Sequence, residues 1–160
     1  MNDIIAHIEK EEGLRLKVYF DTVRDAGMQC PRCHQYIGYP TIGYGRNLMT
    51  RGILPDEARN MLEHDLNEVI DALQKIFGHA FWLKLSRNRQ IALISLVYNI
   101  GETSFLRFKR FITAVKNENW EHAAKELIYI NGDDPQGGFT KLYKNVPARV
   151  KRITLMLIEG

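Results

Sequence analysis

The hydrophobic period of this chain changes near residue 53. Before that point, residues 17–45 are rich in β-branched and aromatic side chains and in glycine-containing turns, which predicts a small antiparallel sheet. After it, apolar residues recur at helical spacing, beginning with Pro55 at the first position of a long amphipathic helix. Further helical patterns cover residues 89–100, 105–117, 120–130 and 147–158. Because strands and helices are separated along the chain, we predict an α+β fold in which a long helix joins a small antiparallel sheet lobe to a mainly helical lobe.

The length and composition favour one globular domain. A chain of 160 residues with 45% hydrophobic and 26% charged residues can bury a sizeable core, and no apolar run approaches the length of a membrane span. We expect a single domain over residues 1–160, with a sheet-bearing lobe at about 13–53, a linking helix at about 55–77, and a helical lobe at about 80–160 packed with a helix over residues 2–12. The N-terminal residues include acids and lack the apolar core of a signal peptide, so we expect a cytoplasmic protein.

Two carboxylates near the N-terminus are candidates for catalysis. At helical spacing Ile4, Ile5 and Ile8 form one stripe, and Glu12 falls within it, where burial is costly unless the carboxylate is used or paired. Asp21 follows nine positions later at the end of a predicted strand. A desolvated, protonated acid and a solvated, ionised one are the equipment of a glycosidase. The alternative is a purely structural role, in which Glu12 pairs with an arginine at a helix end and Asp21 forms a turn.

The same residues occur within longer motifs. The run Glu12-Gly-Leu-Arg-Leu-Lys-Val-Tyr-Phe-Asp21-Thr22, followed by Gly38-Tyr-Pro-Thr41-Ile-Gly-Tyr-Gly45, resembles the phage-type lysozymes, the T-even phage lysozyme family of endolysins. The resemblance continues in Pro55-Asp-Glu-Ala58, Tyr98-Asn-Ile-Gly-Glu-Thr103, Trp120-Glu-His-Ala-Ala124 and Pro147-Ala-Arg149-Val-Lys-Arg152. It therefore covers nearly the whole chain.

The resemblance implies a residue-level mechanism. It makes Glu12 the general acid, Asp21 the carboxylate that directs water, and Thr41 the hydroxyl that helps to hold that water. The reaction would be hydrolysis of the β-1,4 bond between N-acetylmuramic acid and N-acetylglucosamine in peptidoglycan, without a cofactor. The substrate-binding residues that we expect are Leu48, Tyr98, Asn99 and Arg149. Arg149 is also expected to position Glu12, whereas Tyr98 and Asn99 could equally well do no more than end a core helix.

The resemblance also implies where the protein accumulates and how it reaches its substrate. A monomeric endolysin would accumulate in the host cytoplasm, without stable membrane association, and would reach the wall once a separate holin-like protein had permeabilised the membrane. Two alternatives stay open. The net charge of +3 and the Cys-Pro-Arg-Cys-His segment would also suit a nucleic-acid- or metal-binding module, although the basic residues are dispersed. A lytic transglycosylase would use one catalytic acid and release an anhydro sugar.

Residues 23–37 are an addition to the family pattern. They contain Cys30-Pro-Arg-Cys33-His34, whose spacing suits c-type haem attachment or half of a zinc site. A cytoplasmic protein is a poor candidate for haem attachment, and Cys30, Cys33 and His34 give at most three metal ligands, two of them adjacent in sequence. We therefore expect no metal and a plain turn, with a metal or redox role as the minority interpretation.

Two further positions depart from the family pattern. Arg46 stands where the family commonly has a histidine, and Asp65 on the long helix is its expected partner. Residues 131–138 form a turn-rich segment, which we expect to be a loop, where the family has a shorter helical link and a tryptophan.

Overall fold

The computed structural model describes residues 1–21, 38–132 and 134–160, and the predicted α+β class is confirmed. The chain divides into two compact units, residues 1–59 and residues 60–160. The expected packing of the first helix with the helical lobe stays a prediction. Cys30, Cys33 and His34 lie outside the described residues. Within the described ranges, no helix is long and apolar enough to cross a membrane.

The first unit holds one helix and a three-stranded antiparallel sheet. Its elements are α1 (Asn2–Glu12), β1 (Arg15–Asp21), β2 (Tyr39–Gly43) and β3 (Arg46–Asn47). The strand order is β1-β2-β3, so that β2 is central among the described strands. Thr41 of β2 lies opposite Tyr19 of β1 on one side and opposite Asn47 of β3 on the other. The helix α2 (Pro55–Phe77) begins in this unit, with proline in its first position as the sequence predicts.

The second unit is mainly helical and contains the hydrophobic core. After α2, its helices are α3 (His79–Lys84), α4 (Arg87–Ile100), α5 (Glu102–Phe105), α6 (Lys109–Lys116), α7 (Trp120–Ile128), α8 (Lys141–Asn145) and α9 (Pro147–Glu159). The core includes the fully buried residues Leu73, Leu93, Phe105, Phe111, Leu127 and Leu157. The helix that we expected over residues 105–117 begins only at Lys109, because α5 ends at Phe105 and Phe108 leaves the helical region with φ −79° and ψ 54°.

A second sheet corrects the prediction of a loop at 131–138. The strands β4 (Tyr129–Asn131) and β5 (Asp134–Phe139) form an antiparallel pair, and Tyr129 lies opposite Phe139. The helix expected to reach residue 130 therefore ends at Ile128, where the backbone becomes extended. The ring centroids of Tyr129 and Phe139 are 5.7 Å apart, and those of Phe139 and Tyr143 are 4.9 Å apart. Stacked cross-strand aromatic rings, such as those of Tyr129 and Phe139, stabilise a two-stranded sheet.

Candidate active site

Asp21 and Thr41 lie on one face of the sheet in the first unit. Asp21, the last residue of β1, is paired with Tyr39, and Thr41 follows two residues further along β2. Residues directly opposite each other on paired strands share a face of the sheet, and so do residues two apart on one strand. The Asp21 and Thr41 side chains are therefore diagonal neighbours on that face, at about 7 to 8 Å. Thr41 is only 1% exposed, and its hydroxyl donates to the Tyr39 carbonyl at 3.0 Å. The oxygen of that hydroxyl keeps its capacity to accept a hydrogen bond.

Glu12 lies against the turn between β2 and β3. It is the last residue of α1, and its Oε2 lies 3.1 Å from the point that a Cβ on Gly45 would occupy. Gly45 has a φ of +75°, in the left-handed region that favours glycine. Glycine therefore allows the turn to adopt this conformation and leaves room for the carboxylate. Glu12 and Asp21 thus lie toward opposite ends of β2, with Thr41 between them.

Tyr44 links the same turn to α1. A hydrogen bond to Glu9 raises the pKa of Tyr44, and desolvation and the negative charge of Glu9 act in the same direction. Glu9 and Glu12 are three residues apart and lie on one side of the helix. The last turn of α1 is thus held against the β2–β3 turn at two points. Sequence reasoning missed Glu9, Tyr44 and Gly45 as supports of Glu12, although the Gly-Tyr-Gly spacing marks a tight turn.

The structure does not show the expected burial of the Glu12 stripe. Ile4, Ile5 and Ile8 are 64%, 48% and 45% exposed, and Glu12 is exposed as well. Helical spacing correctly places these residues on one side of α1, but spacing does not identify what packs against that side. The position of Glu12 depends instead on the turn beside it.

Arg46 has a different ion-pair partner from the expected Asp65. Its Nη1 forms an ion pair with Glu57 in the first turn of α2, and its Nε donates to the Gly52 carbonyl at 2.7 Å. The long helix was the correct element, but the partner is a residue at its start. Glu57 also accepts a hydrogen bond from the Leu54 backbone N–H at 2.7 Å, which completes one side of a helix-capping arrangement.

The four residues expected to bind substrate are divided between the units. Leu48 of the first unit is half-buried, and its N–H donates to the Pro40 carbonyl at 2.8 Å. In the second unit, Tyr98 is 48% exposed and lines a cavity of about 500 Å³ together with Asp65 and Glu102. Asn99, the next residue, is exposed.

Arg149 lies elsewhere in the second unit. It is half-buried and lines a cavity of about 300 Å³ that also includes Ser95 and Arg152. As for a metal, no group of three or more His, Cys, Asp or Glu side chains that could hold one occurs in ranges 1–21, 38–132 and 134–160.

Comparison with known proteins finds a matching family and relatives of this chain. The family model described as phage lysozyme matches residues 9–144. An endolysin of Salmonella phage P22 is 31% identical over 141 residues, which covers 82% of this chain and 84% of that protein. The pre-baseplate central spike protein Gp5 of Enterobacteria phage T4 is 26% identical over 182 residues, which covers 96% of this chain. This chain spans only 27% of the length of the spike protein.

Proposed function

The chain belongs to the phage lysozyme family, and on that premise we propose that it is an endolysin that hydrolyses the β-1,4 bond between N-acetylmuramic acid and N-acetylglucosamine in peptidoglycan. The observation that carries this proposal is the position of Glu12. Its carboxylate is held beside the β2–β3 turn, in the same unit as the face that carries Asp21 and Thr41. Two carboxylates and a hydroxyl carried by α1 and the small sheet of one unit suit glycoside hydrolysis.

Glu12 is the proposed general acid. It would donate its proton to the glycosidic oxygen as the bond to the leaving sugar breaks. Its Oε2 lies close to Gly45, so the proposed donor is beside the β2–β3 turn before substrate arrives.

Asp21 and Thr41 would together direct the attacking water. Since the Thr41 proton is donated to Tyr39, the Thr41 oxygen can accept a hydrogen bond from that water. Asp21 would accept the other proton of the water as it attacks the anomeric carbon on the face opposite the leaving group. Direct attack by water inverts the configuration and calls for carboxyl groups roughly 6.5 to 9.5 Å apart.

Four side chains are proposed to contact the sugars. The exposed ring of Tyr98 offers a surface for a sugar ring, and Asn99 offers an amide for an N-acetyl group. Leu48 and Arg149 complete the proposed set. We propose that the protein acts as a monomer, without a cofactor, after a separate holin-like protein gives it access from the host cytoplasm to the wall.

Digestion of purified peptidoglycan by the Glu12→Gln variant tests the proposal. The amide keeps the shape of the side chain but cannot donate an acidic proton, so we expect turnover to fall by roughly 10² to 10⁴-fold with folding stability unchanged or slightly higher. The matched control is Glu11→Gln, which removes the same charge from the adjacent position of α1. A Glu12→Gln variant as active as this control would contradict the assignment of the acid.

The products of the same digestion identify the reaction. Mass spectrometry should find hydrolysed reducing ends at N-acetylmuramic acid, whereas anhydro ends would identify a lytic transglycosylase. Proton NMR of the fresh product should show the α-anomer first, because inversion of a β-linkage gives that anomer. Initial formation of the β-anomer would mean a retaining mechanism and a different role for Asp21.

A further inference from the structure

A cavity in the second unit is lined by an unusual set of charges. Its volume is about 320 Å³, and it lies where the start of α6 approaches α7 and the ends of the β4–β5 pair. Four basic residues and a single acidic residue line it, namely Arg107, Lys109, Arg110, Lys141 and Glu126. The proposed hydrolysis of peptidoglycan uses none of these residues.

The charge of this lining is large relative to that of the chain. Four cations against one carboxylate leave an excess of three positive charges, which equals the net charge of +3 of the whole protein. The remaining residues therefore balance to zero. A concave surface lined by one sign of charge concentrates ions of the opposite sign more strongly than dispersed charges do.

The one carboxylate is already committed to structural contacts. Glu126 is only 7% exposed, and its Oε2 lies 3.1 Å from the Nε of Arg110 while its Oε1 lies 3.4 Å from the Nε2 of His122. Arg110 also donates through Nη2 to the Ile130 carbonyl. These contacts fix the guanidinium of Arg110 between α7 and β4, so one cation of the cavity is positioned in advance.

The other three basic residues are exposed. Among the residues that the structure describes, Arg107, Lys109 and Lys141 have no ion-pair partner. They come from two stretches of the chain, with Arg107 and Lys109 at the start of α6 and Lys141 at the first position of α8. Several donors that line one cavity suit a ligand with several acceptor oxygens.

We propose that this cavity binds a phosphate monoester. A phosphate monoester has a charge of about −1.5 to −2 near neutral pH and three acceptor oxygens, whereas a carboxylate has one charge and two oxygens. Only the former comes close to matching an excess of three positive charges and donors from both residues 107–110 and the start of α8. Guanidinium groups bind phosphate oxygens in pairs, and a volume near 320 Å³ lies at the small end of ligand sites, which suits a single headgroup. The proposal does not depend on the hydrolytic function.

The test is an NMR titration of the whole chain at low ionic strength with inorganic phosphate as the probe. We expect saturable shifts of the backbone amides of Arg107, Lys109, Arg110, Glu126 and Lys141. Acetate at equal ionic strength is the comparison, and it should bind roughly tenfold more weakly. Equal binding of acetate, or phosphate shifts spread evenly over the surface, would overturn the proposal.

Two further probes identify the source of the phosphate. Glucosamine 1-phosphate presents the group on a sugar, and phosphatidylcholine vesicles with and without phosphatidic acid present it on a lipid. Binding of the sugar phosphate alone would assign the site to a phosphorylated sugar, and binding to vesicles only when they contain phosphatidic acid would assign it to a lipid headgroup. If both fail while inorganic phosphate binds, the ligand is a free anion and the monoester proposal is wrong.

Variants separate this site from general surface charge. The double variant Arg107→Gln/Lys141→Gln should weaken phosphate binding by roughly tenfold or more, because two direct contacts are lost. The matched control is Lys75→Gln/Lys84→Gln, which removes two exposed cations of the same unit that do not line this cavity. Equal weakening in both double variants would show non-specific attraction and would overturn the proposal. Unchanged thermal unfolding of each variant confirms that folding is not the cause.

Discussion

At the scale of single residues, the position of Glu12 depends on its neighbours in the β2–β3 turn. Gly45 leaves room for the carboxylate, and Tyr44 holds Glu9 one turn earlier on α1. Catalytic groups must be held within fractions of an ångström of the productive geometry, so supporting residues of this kind affect the rate without touching substrate.

The Gly45→Ala variant tests the support at this turn. Its Cβ would lie 3.1 Å from Glu12 Oε2, so the carboxylate must move, and the φ of +75° adds strain of about 1 to 2 kcal/mol. The matched control is Gly43→Ala, with a φ of +67° and nothing within 4 Å of the new Cβ. We expect similar losses of stability in chemical denaturation but a loss of wall hydrolysis only in Gly45→Ala. Equal activity of the two variants would show that the Gly45 contact does not position the acid.

Tyr44 provides a pH-dependent test of the same contact. The hydrogen bond to Glu9 favours the protonated phenol and raises the pKa of Tyr44 in the folded state. The contribution of this hydrogen bond to folding stability is therefore complete below the pKa of tyrosine in the unfolded chain, about 10. It is lost as the pH rises through the higher pKa of Tyr44 in the folded state. A pH titration of the difference in absorbance between the wild type and Tyr44→Phe follows the Tyr44 phenol. Its midpoint should lie above that of free tyrosine. Glu9→Gln should lower it, and a midpoint unaffected by Glu9→Gln would contradict the bond.

At the scale of elements, Glu57 connects the sheet of the first unit to the start of α2. One carboxylate oxygen pairs with Arg46 next to the turn, and the other accepts the Leu54 N–H that precedes the helix. Leu54 directly precedes the first helical residue, so its N–H has no acceptor within the helix and is satisfied by the Glu57 side chain. Glu57 therefore has both a capping role and an ion-pair role.

Two substitutions of Glu57 separate these roles. Glu57→Gln can still accept from Leu54 but loses the charge, so we expect a cost of about 0 to 1 kcal/mol, typical of a partly exposed pair. Glu57→Ala loses the cap as well, which adds about 1 kcal/mol. Urea denaturation measures both, and Arg46→Met combined with Glu57→Gln gives the coupling energy of the pair. A coupling of several kcal/mol would mean that the pair is far stronger than its exposure indicates.

The sequence predicted the elements better than it predicted their partners. Proline at the first position and the helical period predict α2 almost to the residue, because those signals are local. The partner of Arg46 depends on how the chain folds between residues 46 and 57, and no local signal in the sequence encodes that. The β4–β5 pair was missed because a cross-strand contact such as that of Tyr129 with Phe139 leaves no periodic pattern in a short, glycine-rich segment. Glu12 and Asp21 were selected from their positions in the sequence pattern, Thr41 and the three roles came from resemblance, and their supports require coordinates.

At the scale of the whole molecule, burial is distributed unequally between the two units. Among the described residues, every apolar side chain that is buried belongs to residues 60–160, and Thr41 is the one buried residue of the first unit. Local stability follows the burial of apolar surface, so the unit that contains the proposed catalytic residues should be the less stable one.

Hydrogen exchange of the native chain tests this inequality. We expect amides of α4 and α9 to exchange roughly 100-fold more slowly than those of α1 and β1, because opening the former exposes the core. The comparison uses amides of similar intrinsic exchange rate in one sample, so it needs no variant. Equal protection in α1 and α4 would show that the two units open together.

The distribution of tryptophan has a practical consequence for spectroscopy. The chain has two tryptophans, Trp82 in the core and Trp120 under the guanidinium of Arg89 at 4.1 Å, and both belong to residues 60–160. Emission excited selectively from tryptophan therefore originates in one unit alone. A melting curve recorded in this way would report an intact fold even after the sheet that carries Asp21 and Thr41 had unfolded. Tyrosine absorbance, to which Tyr19, Tyr39 and Tyr44 contribute from the first unit, is the optical signal that would detect that loss.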